Sequence, residues 1–332
     1  MIELKNLTKV FKKPIRKEGL LGMFSTLFSR KYEEKVAVND ISLTIADGEI
    51  IGHIGANGAG KSTTVKMMCG ILTPTSGAVY IDGEEPYKKR RRIARKIGVV
   101  FGQKTQLWWD IPLIESFKVL KEIYQVDDKS YGERMEFLSS VLGIDEFLNQ
   151  PVRTLSLGQR MRADLAAAWL HNPEILFLDE PTIGLDVLVK EKIRKAIKTM
   201  NATYGTTVIL TTHDMKDIEN LCSRIVMIEE GNIIYDGPLS SIKNKFGDVR
   251  TVFITLQSEP VLSDLENFDG RATYKWQDNG LYIKFNAEKL PVEAVVDYAF
   301  HTLKATDFKI TEISIEDVVK VILDRGDENG KK

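Results

Sequence analysis

Apolar and polar positions alternate from Ile2 to Phe11, the period of a strand buried on one face, and the run reads as an edge strand. A second alternating run, Ile41 to Ile45, closes at the turn Asp47-Gly48. Four other runs are apolar almost throughout: Ile50 to Ile54, Ile97 to Phe101, Ile175 to Leu178 and Val208 to Leu210. Continuous apolar runs of this length mark strands of a parallel sheet covered on both faces. Ala78 to Ile81 reads as a further strand, and Ile225 to Ile228, Gly231-Asn232 and Ile233 to Tyr235 read as a closing hairpin. From Ile114 to Leu148 the period becomes helical, with Ile114, Phe117, Leu120 and Ile123 on one face and Phe137, Leu138, Val141 and Leu142 on another.

Two stretches depart from this rhythm. Between Lys12 and Lys35, Leu20, Leu21, Phe24, Leu27 and Phe28 recur at helical spacing between basic shoulders, which predicts an amphipathic helix. Its apolar face either packs on the body of the protein or docks on a membrane or membrane partner. Beyond Gly247 the order becomes strand 251–256, helix 260–268, strands 272–276 and 281–285, helix 292–303 and strand 308–313. That βαββαβ order predicts a small ferredoxin-like α+β unit, followed by a last helix from Ser314 and a tail. No catalytic constellation stands out there, so its role is dimer support or padding rather than ligand sensing.

The chain has 332 residues, enough for two domains, and is 43% hydrophobic and 28% charged with a net charge of −1. No global field draws it to nucleic acid or anionic lipid. The basic run Lys88 to Lys96 reads as a solvated helix face, and no nucleic-acid partner is expected. The only cysteines, Cys69 and Cys222, suggest a reducing compartment without disulfides. No signal-peptide pattern opens the chain, and no apolar run reaches the roughly 18 residues of a spanning helix, so the chain is not expected to cross a membrane.

The chemistry concentrates at Gly55-Ala56-Asn57-Gly58-Ala59-Gly60-Lys61-Ser62-Thr63, between a buried strand and a helix. Its glycines let main-chain N–H groups turn toward an anion, and the helix start adds its dipole. Lys61 supplies a charge for the β and γ phosphates of a nucleotide, and the Ser62 hydroxyl is placed to hold Mg2+. Ser156 and Gln159 have capping-box spacing at the start of another helix, a second anion-attracting terminus. Asp179 and Glu180 end a central strand, where carboxylates are costly unless they hold a cation or activate water. His213 ends the next such strand and becomes a candidate γ-phosphate contact. Adjacent Trp108 and Trp109 are either core or an interface anchor.

Together, Leu155 to Gln159 shortly ahead of Asp179-Glu180, with Gln103 before and His213 after, resemble the ATP-binding subunits of ABC transporters over residues 2–246. The resemblance implies an α/β P-loop NTPase cassette, 1–246, with a mixed-sheet core, an insertion at about 12–35 and a helical subdomain at about 104–170. An accessory ferredoxin-like domain would span 247–326, leaving 327–332 as a tail. It further implies ATP and Mg2+ as ligands. Phe11 would stack on adenine, with Tyr32 as substitute. Ser62 and Gln103 would coordinate Mg2+, Asp179 would support the metal, Glu180 would polarise the attacking water and His213 would fix the γ-phosphate. Ser156, Gly158 and Gln159 would complete the site of a second copy, with Asp186 bridging the two. Leu157 replaces the usual second glycine of that signature.

The implied function is an ATPase that dimerises on ATP and drives a separate permease from the inner face of the cell membrane. The segment Thr311 to Val318, with Gly102-Gln103 and Ile183 to Asp186, is more similar to the exporter branch. The alternatives are an importer ATPase with a solute-sensing C-terminal domain, or a soluble ABC protein acting on ribosomes or DNA.

Overall fold

The computed structural model describes residues 1–14, 32–102, 104–245, 248–256, 259–260, 265, 268, 270–277, 279–312 and 318. The chain divides into two compact units, Met1–Asp236 and Gly237–Lys332.

In the first unit, six strands form one sheet in the order β5-β6-β7-β3-β8-β9, with β3 spanning Ile50–Ile54, β5 Ile97–Phe101, β6 Ile175–Asp179, β7 Thr207–Thr211, β8 Arg224–Glu229 and β9 Asn232–Pro238. The pairs β5/β6, β6/β7, β7/β3 and β3/β8 are parallel. Every residue of β3 and β7 is buried, which is why their sequences are apolar rather than alternating. The order has a functional consequence. The carboxyl ends of β5, β6, β7 and β3 stand side by side, so the loops after them share one crevice, where open α/β sheets bind ligands.

A second, antiparallel sheet is ordered β2-β1-β4, with β1 at Ile2–Pro14, β2 at Tyr32–Ile45 and β4 at Ser76–Ile81. This corrects the edge reading of the first strand. β1 is central: Ile2 pairs with Ile45 on one side and Ile81 on the other. Its alternation arises because only one sheet face packs on the core, where Ile2, Leu4 and Leu7 are buried. Both strands also run further than the apolar pattern indicates. Lys12, Lys13 and Pro14 pair with Glu34, Glu33 and Tyr32, so the ends of the expected insertion are a β-ladder. Lys12 Nζ lies 3.1 Å from Glu34 Oε1 across this ladder, an opposite-charge pair that supports the pairing. The apolar stripe Leu20 to Phe28 lies outside the described residues.

Three helices make the expected helical region: Leu113–Tyr124, Asp128–Leu142 and Leu157–Trp169. The buried face of the first is Leu113, Ser116, Phe117 and Leu120; Ile123 is exposed. Three-residue steps each fall about 60° short of a full turn, so the series Ile114, Phe117, Leu120, Ile123 winds off the buried face. The second helix begins at Asp127, whose carboxylate accepts from the Ser130 N–H at 2.9 Å, and stops at Gly143 in the left-handed region. Of its expected face, Leu138 and Leu142 are fully buried. Among the described residues, no helix is long and apolar enough to cross a membrane.

The second unit holds an antiparallel sheet ordered β11-β12-β10-β13, with β10 at Val249–Thr255, β11 at Ala272–Gln277, β12 at Gly280–Asn286 and β13 at Asp307–Glu312. Helix Val292–His301 buries Val295, Tyr298 and Ala299 in the cluster that contains Val252, Ile254 and Ile283. Most of the expected helix 260–268, and the helix from Ser314 apart from Val318, lie outside the described residues.

Candidate functional site

The phosphate loop leaves β3 and enters helix Lys61–Met68 through Gly60, whose φ of 112° is one that only glycine adopts freely. A Cβ on Gly60 would also fall 2.4 Å from the Ala37 carbonyl oxygen. No side chain caps this helix. Its first-turn residues Lys61, Ser62 and Thr63 line the cleft, and an uncapped helix start is the arrangement that attracts an anion. Lys61 folds back over the loop, donating to the carbonyls of Gly55 at 2.8 Å and Ala56 at 3.0 Å. Burial lowers the Lys61 pKa from its ordinary value, while Glu180 and Asp179 oppose that shift. Asn57, Gly58, Thr63 and Lys66 line the same cleft, while Ala59 is buried with its carbonyl taken by the Gly231 N–H at 2.9 Å.

From the end of β6, Asp179 reaches the loop: its Oδ1 lies 3.4 Å from the Ser62 hydroxyl and also accepts from Thr211 Oγ1. Thr211 is the register partner of Asp179 on β7 and was not anticipated from the sequence. The hydroxyl and the carboxylate are hard oxygen donors of the kind Mg2+ takes.

Glu180 follows with φ of 57°, the left-handed region, a strained setting for a residue with a side chain. Its carboxylate lies 3.2 Å from His213 Nε2. Burial pushes the Glu180 carboxyl above the usual carboxylate range, against the pull of His213. A carboxylate held closer to neutrality is a better proton acceptor for a bound water at working pH. The next loop passes close by because residue 102 is glycine, where a Cβ would lie 2.4 Å from the Glu180 carbonyl oxygen. Gln103 itself lies outside the described residues; its neighbours Gly102 and Lys104 line the cleft. The whole cleft is about 740 Å³ and brings together the phosphate loop, Asp179, Glu180 and His213. That volume suits a nucleotide-sized ligand.

Other expected residues stand elsewhere. Phe11 and Tyr32 do not line the cleft; both are exposed on the paired strands β1 and β2, with Lys9 Nζ 5.3 Å from the Phe11 ring centre. Ser156 caps helix Leu157–Trp169 in a complete capping box: its hydroxyl accepts from the Gln159 N–H at 3.2 Å, and the Ser156 N–H donates to Gln159 Oε1 at 2.9 Å. Gly158 allows close approach of Val189, and Leu157 extends to Gly184. Asp186 caps helix Val187–Tyr204 through the Val189 N–H at 3.0 Å. None of Ser156, Gly158, Gln159 and Asp186 lines the cleft of its own chain.

A clasp unseen in the sequence joins the segment after Gln103 to the capped helix. Asp164, 6% exposed, accepts from Thr105 Oγ1 at 2.7 Å and from the Gln106 N–H at 3.2 Å. Burial pushes its carboxyl up to about 6 from an ordinary 3.8. The folded chain holds this proton more tightly than the unfolded chain, so this contribution is full below about pH 4 and lost as pH rises through about 6. Asp164→Asn keeps the accepting Oδ1 and removes the charge. The variant should melt above the parent at pH 8, by at most about 3 kcal/mol, and lose that advantage at pH 4. Thermal melts at the two pH values check it, and an equal difference at both would count against the buried charge.

The family model described as ABC transporter matches residues 38–183. The linearmycin resistance ATP-binding protein LnrL of Bacillus subtilis is 32% identical over 227 residues, covering 68% of this chain and 72% of the relative. The methionine import ATP-binding protein MetN 2 of Enterococcus faecalis is 31% identical over 304 residues, 90% of this chain and 84% of the relative. A solved dimer of the ATP-binding cassette MJ0796, in a post-hydrolysis state with ADP and Pi, superposes with a TM-score of 0.60 at 29% identity, covering 72% of this chain and 99% of that one.

Proposed function

The chain belongs to the ATP-binding subunits of ABC transporters, ATPases that drive separate membrane permeases, and from that premise we propose that it powers an exporter as a homodimer closed by ATP. The observation that carries the ATPase chemistry is one crevice shared by Lys61, Asp179, Glu180 and His213. Main-chain amides of the phosphate loop and Lys61 bind the β and γ phosphates. Ser62 and Asp179, with Gln103 by resemblance, would hold Mg2+, which when bound neutralises phosphate charge and polarises the transferred group. Glu180 orients the attacking water and accepts its proton, while His213 holds the γ-phosphate end of the cleft. Phe11, exposed on β1 and outside the lining of the cleft, is assigned to adenine by the family resemblance alone.

Ser156, Gly158, Gln159 and Asp186 gain a purpose if a second copy closes over the cleft. Ser156 then presents a capped helix terminus to the partner's γ-phosphate, and loss of that anion on hydrolysis releases the pair. Exposed apolar residues near these helix starts, Leu157, Ile183, Val187 and Leu188, support a surface that becomes covered, with Val187 73% and Leu188 79% exposed. The solved MJ0796 dimer is a precedent in a related cassette. Trp108 and Trp109, 41% and 47% exposed, are the anchors we assign to the permease. The working place is the inner face of the cell membrane, with the second unit, read as ferredoxin-like, supporting the dimer.

Export is favoured by the exporter-like segments named above and by a relative named for linearmycin resistance. The importer reading is favoured by the relative named for methionine import, whose match extends over 90% of this chain. Co-purification with the product of the adjoining reading frame separates them. A permease with about six apolar spans that stimulates ATP hydrolysis supports export, whereas a solute-binding protein there, or methionine binding to the full chain by calorimetry, overturns it.

A further inference from the structure

Glu180 and His213 meet across 3.2 Å, yet neither sits in a helix or strand: each lies on the loop that follows its strand. Glu180 is also in the left-handed region. Something outside the two loops has to hold them in register. Beneath them lies a fully buried carboxylate, Asp217, 0% exposed on helix Met215–Leu221. It accepts three side-chain hydrogen bonds. One comes from Thr182 Oγ1, two residues after Glu180, and one from Thr212 Oγ1 at 3.1 Å, the residue before His213. The third comes from Arg194 Nε at 2.6 Å, on helix Val187–Tyr204.

Arg194 is 4% exposed and supplies the charge that makes the buried carboxylate tolerable. Its Nη1 also donates to Glu191 at 2.6 Å, and Asp214 accepts from Lys190 Nζ at 2.6 Å. The Thr212 hydroxyl is used twice, donating to Asp217 and accepting from the Asp214 N–H at 3.0 Å. If the cluster served only to join two helices, Arg194 and Asp217 would suffice. Two of the three donors to Asp217 instead belong to the loops that carry Glu180 and His213.

We propose that Asp217 is a positioning residue for ATP hydrolysis, fixing through the Thr182 and Thr212 hydroxyls the separation of Glu180 and His213. The carboxylate is fully buried and does not line the cleft; it acts by pinning both loops to one point. Displacement of a catalytic group by about 1 Å can cost on the order of a hundredfold in rate, so pins of this kind act on turnover rather than on substrate affinity. Removing Asp217 or Arg194 outright would leave an uncompensated buried charge and endanger folding. The informative changes are therefore at the threonines, whose isosteric valine variants keep the volume.

The inference rests on Glu180 serving hydrolysis, which Glu180→Gln, measured alongside, reports on separately. Thr182→Val should lower kcat by roughly tenfold to a hundredfold and leave the Kd for a nonhydrolysable ATP analogue within about twofold of the parent. Thr182→Ser, which keeps the hydroxyl, should restore kcat, and Thr212→Val should repeat the loss. Each variant is assayed beside a thermal melt and the full-length parent. Unchanged kcat in both valine variants overturns the proposal. So does a loss that serine does not rescue, or a parallel fall of kcat, affinity and melting temperature, since those outcomes describe a merely structural network.

Discussion

Glu180→Gln should slow ATP hydrolysis by about 10²- to 10⁴-fold while leaving ATP affinity intact, and should accumulate an ATP-bound dimer. The substitution changes almost nothing but the ability to accept a proton. Glutamine keeps the shape of a side chain that lies 3.2 Å from His213 Nε2 and lines the phosphate cleft. It loses the carboxylate whose pKa burial has raised toward the range useful to a general base. The phosphate-binding amides and Lys61 are untouched, so the ground-state complex should form as before; kcat falls with little change in binding, the pattern of a contact made in the transition state. Because the proposed dimer opens when the γ-phosphate leaves, blocking its departure holds the pair closed. Phosphate release and sedimentation velocity with ATP read the two consequences. Turnover near the parent's would remove Glu180 from its role, and a monomer under saturating ATP would end the homodimer reading.

The parts of this site that the sequence made legible are those written in contiguous residues. Gly55 to Thr63 announces a phosphate loop because the glycines, the lysine and the hydroxyl must follow one another in a turn between a strand and a helix. The Ser156 and Gln159 pair is legible for the same reason: a capping box is a local bond pattern, and both of its hydrogen bonds are present. The central strands were also plain, since burial on both faces leaves no polar alternation.

What the sequence hid depends on neighbours far along the chain. A half-buried strand alternates whether it is an edge or a centre, so β1 could not reveal that β4 pairs with its other side. The ladder from Lys12 to Pro14 against Tyr32 to Glu34 was masked by the basic residues that made the segment look like an insertion. Thr211, Asp164 and Asp217 matter through partners 32, 59 and 35 positions away. A lone Asp in a helix gives no sign that a distant threonine hydroxyl will be brought against it. Ile123, by contrast, extends a stripe read in steps of three, and each such step falls about 60° short of a full turn, which carries Ile123 away from the face that buries Phe117 and Leu120.

Lys61→Ala should abolish the activity by the opposite route, through binding rather than turnover. The ammonium group is the one mobile charge of the phosphate loop, and Lys61 is 8% exposed, close enough to Asp179 and Glu180 that their charges act on it. Its two bonds to the Gly55 and Ala56 carbonyls hold the loop in the curve that presents its amides. Alanine removes the counter-charge for the β and γ phosphates and leaves both carbonyls without that donor. A hydrogen bond to a charged group contributes about 1.5–3 kcal/mol, so ATP affinity should fall on the order of tenfold to a hundredfold, with hydrolysis falling further because the γ-phosphate is no longer fixed. The ATP-dependent dimer should not form at concentrations that saturate the parent. Fluorescent-nucleotide titration separates this outcome from that of Glu180→Gln: one variant binds as the parent does and does not turn over, and the other binds about tenfold to a hundredfold more weakly. If Lys61→Ala keeps both its affinity and its turnover, the anion site does not lie at the end of β3, and the roles assigned to Asp179, Glu180 and His213 lose the phosphate around which they are arranged.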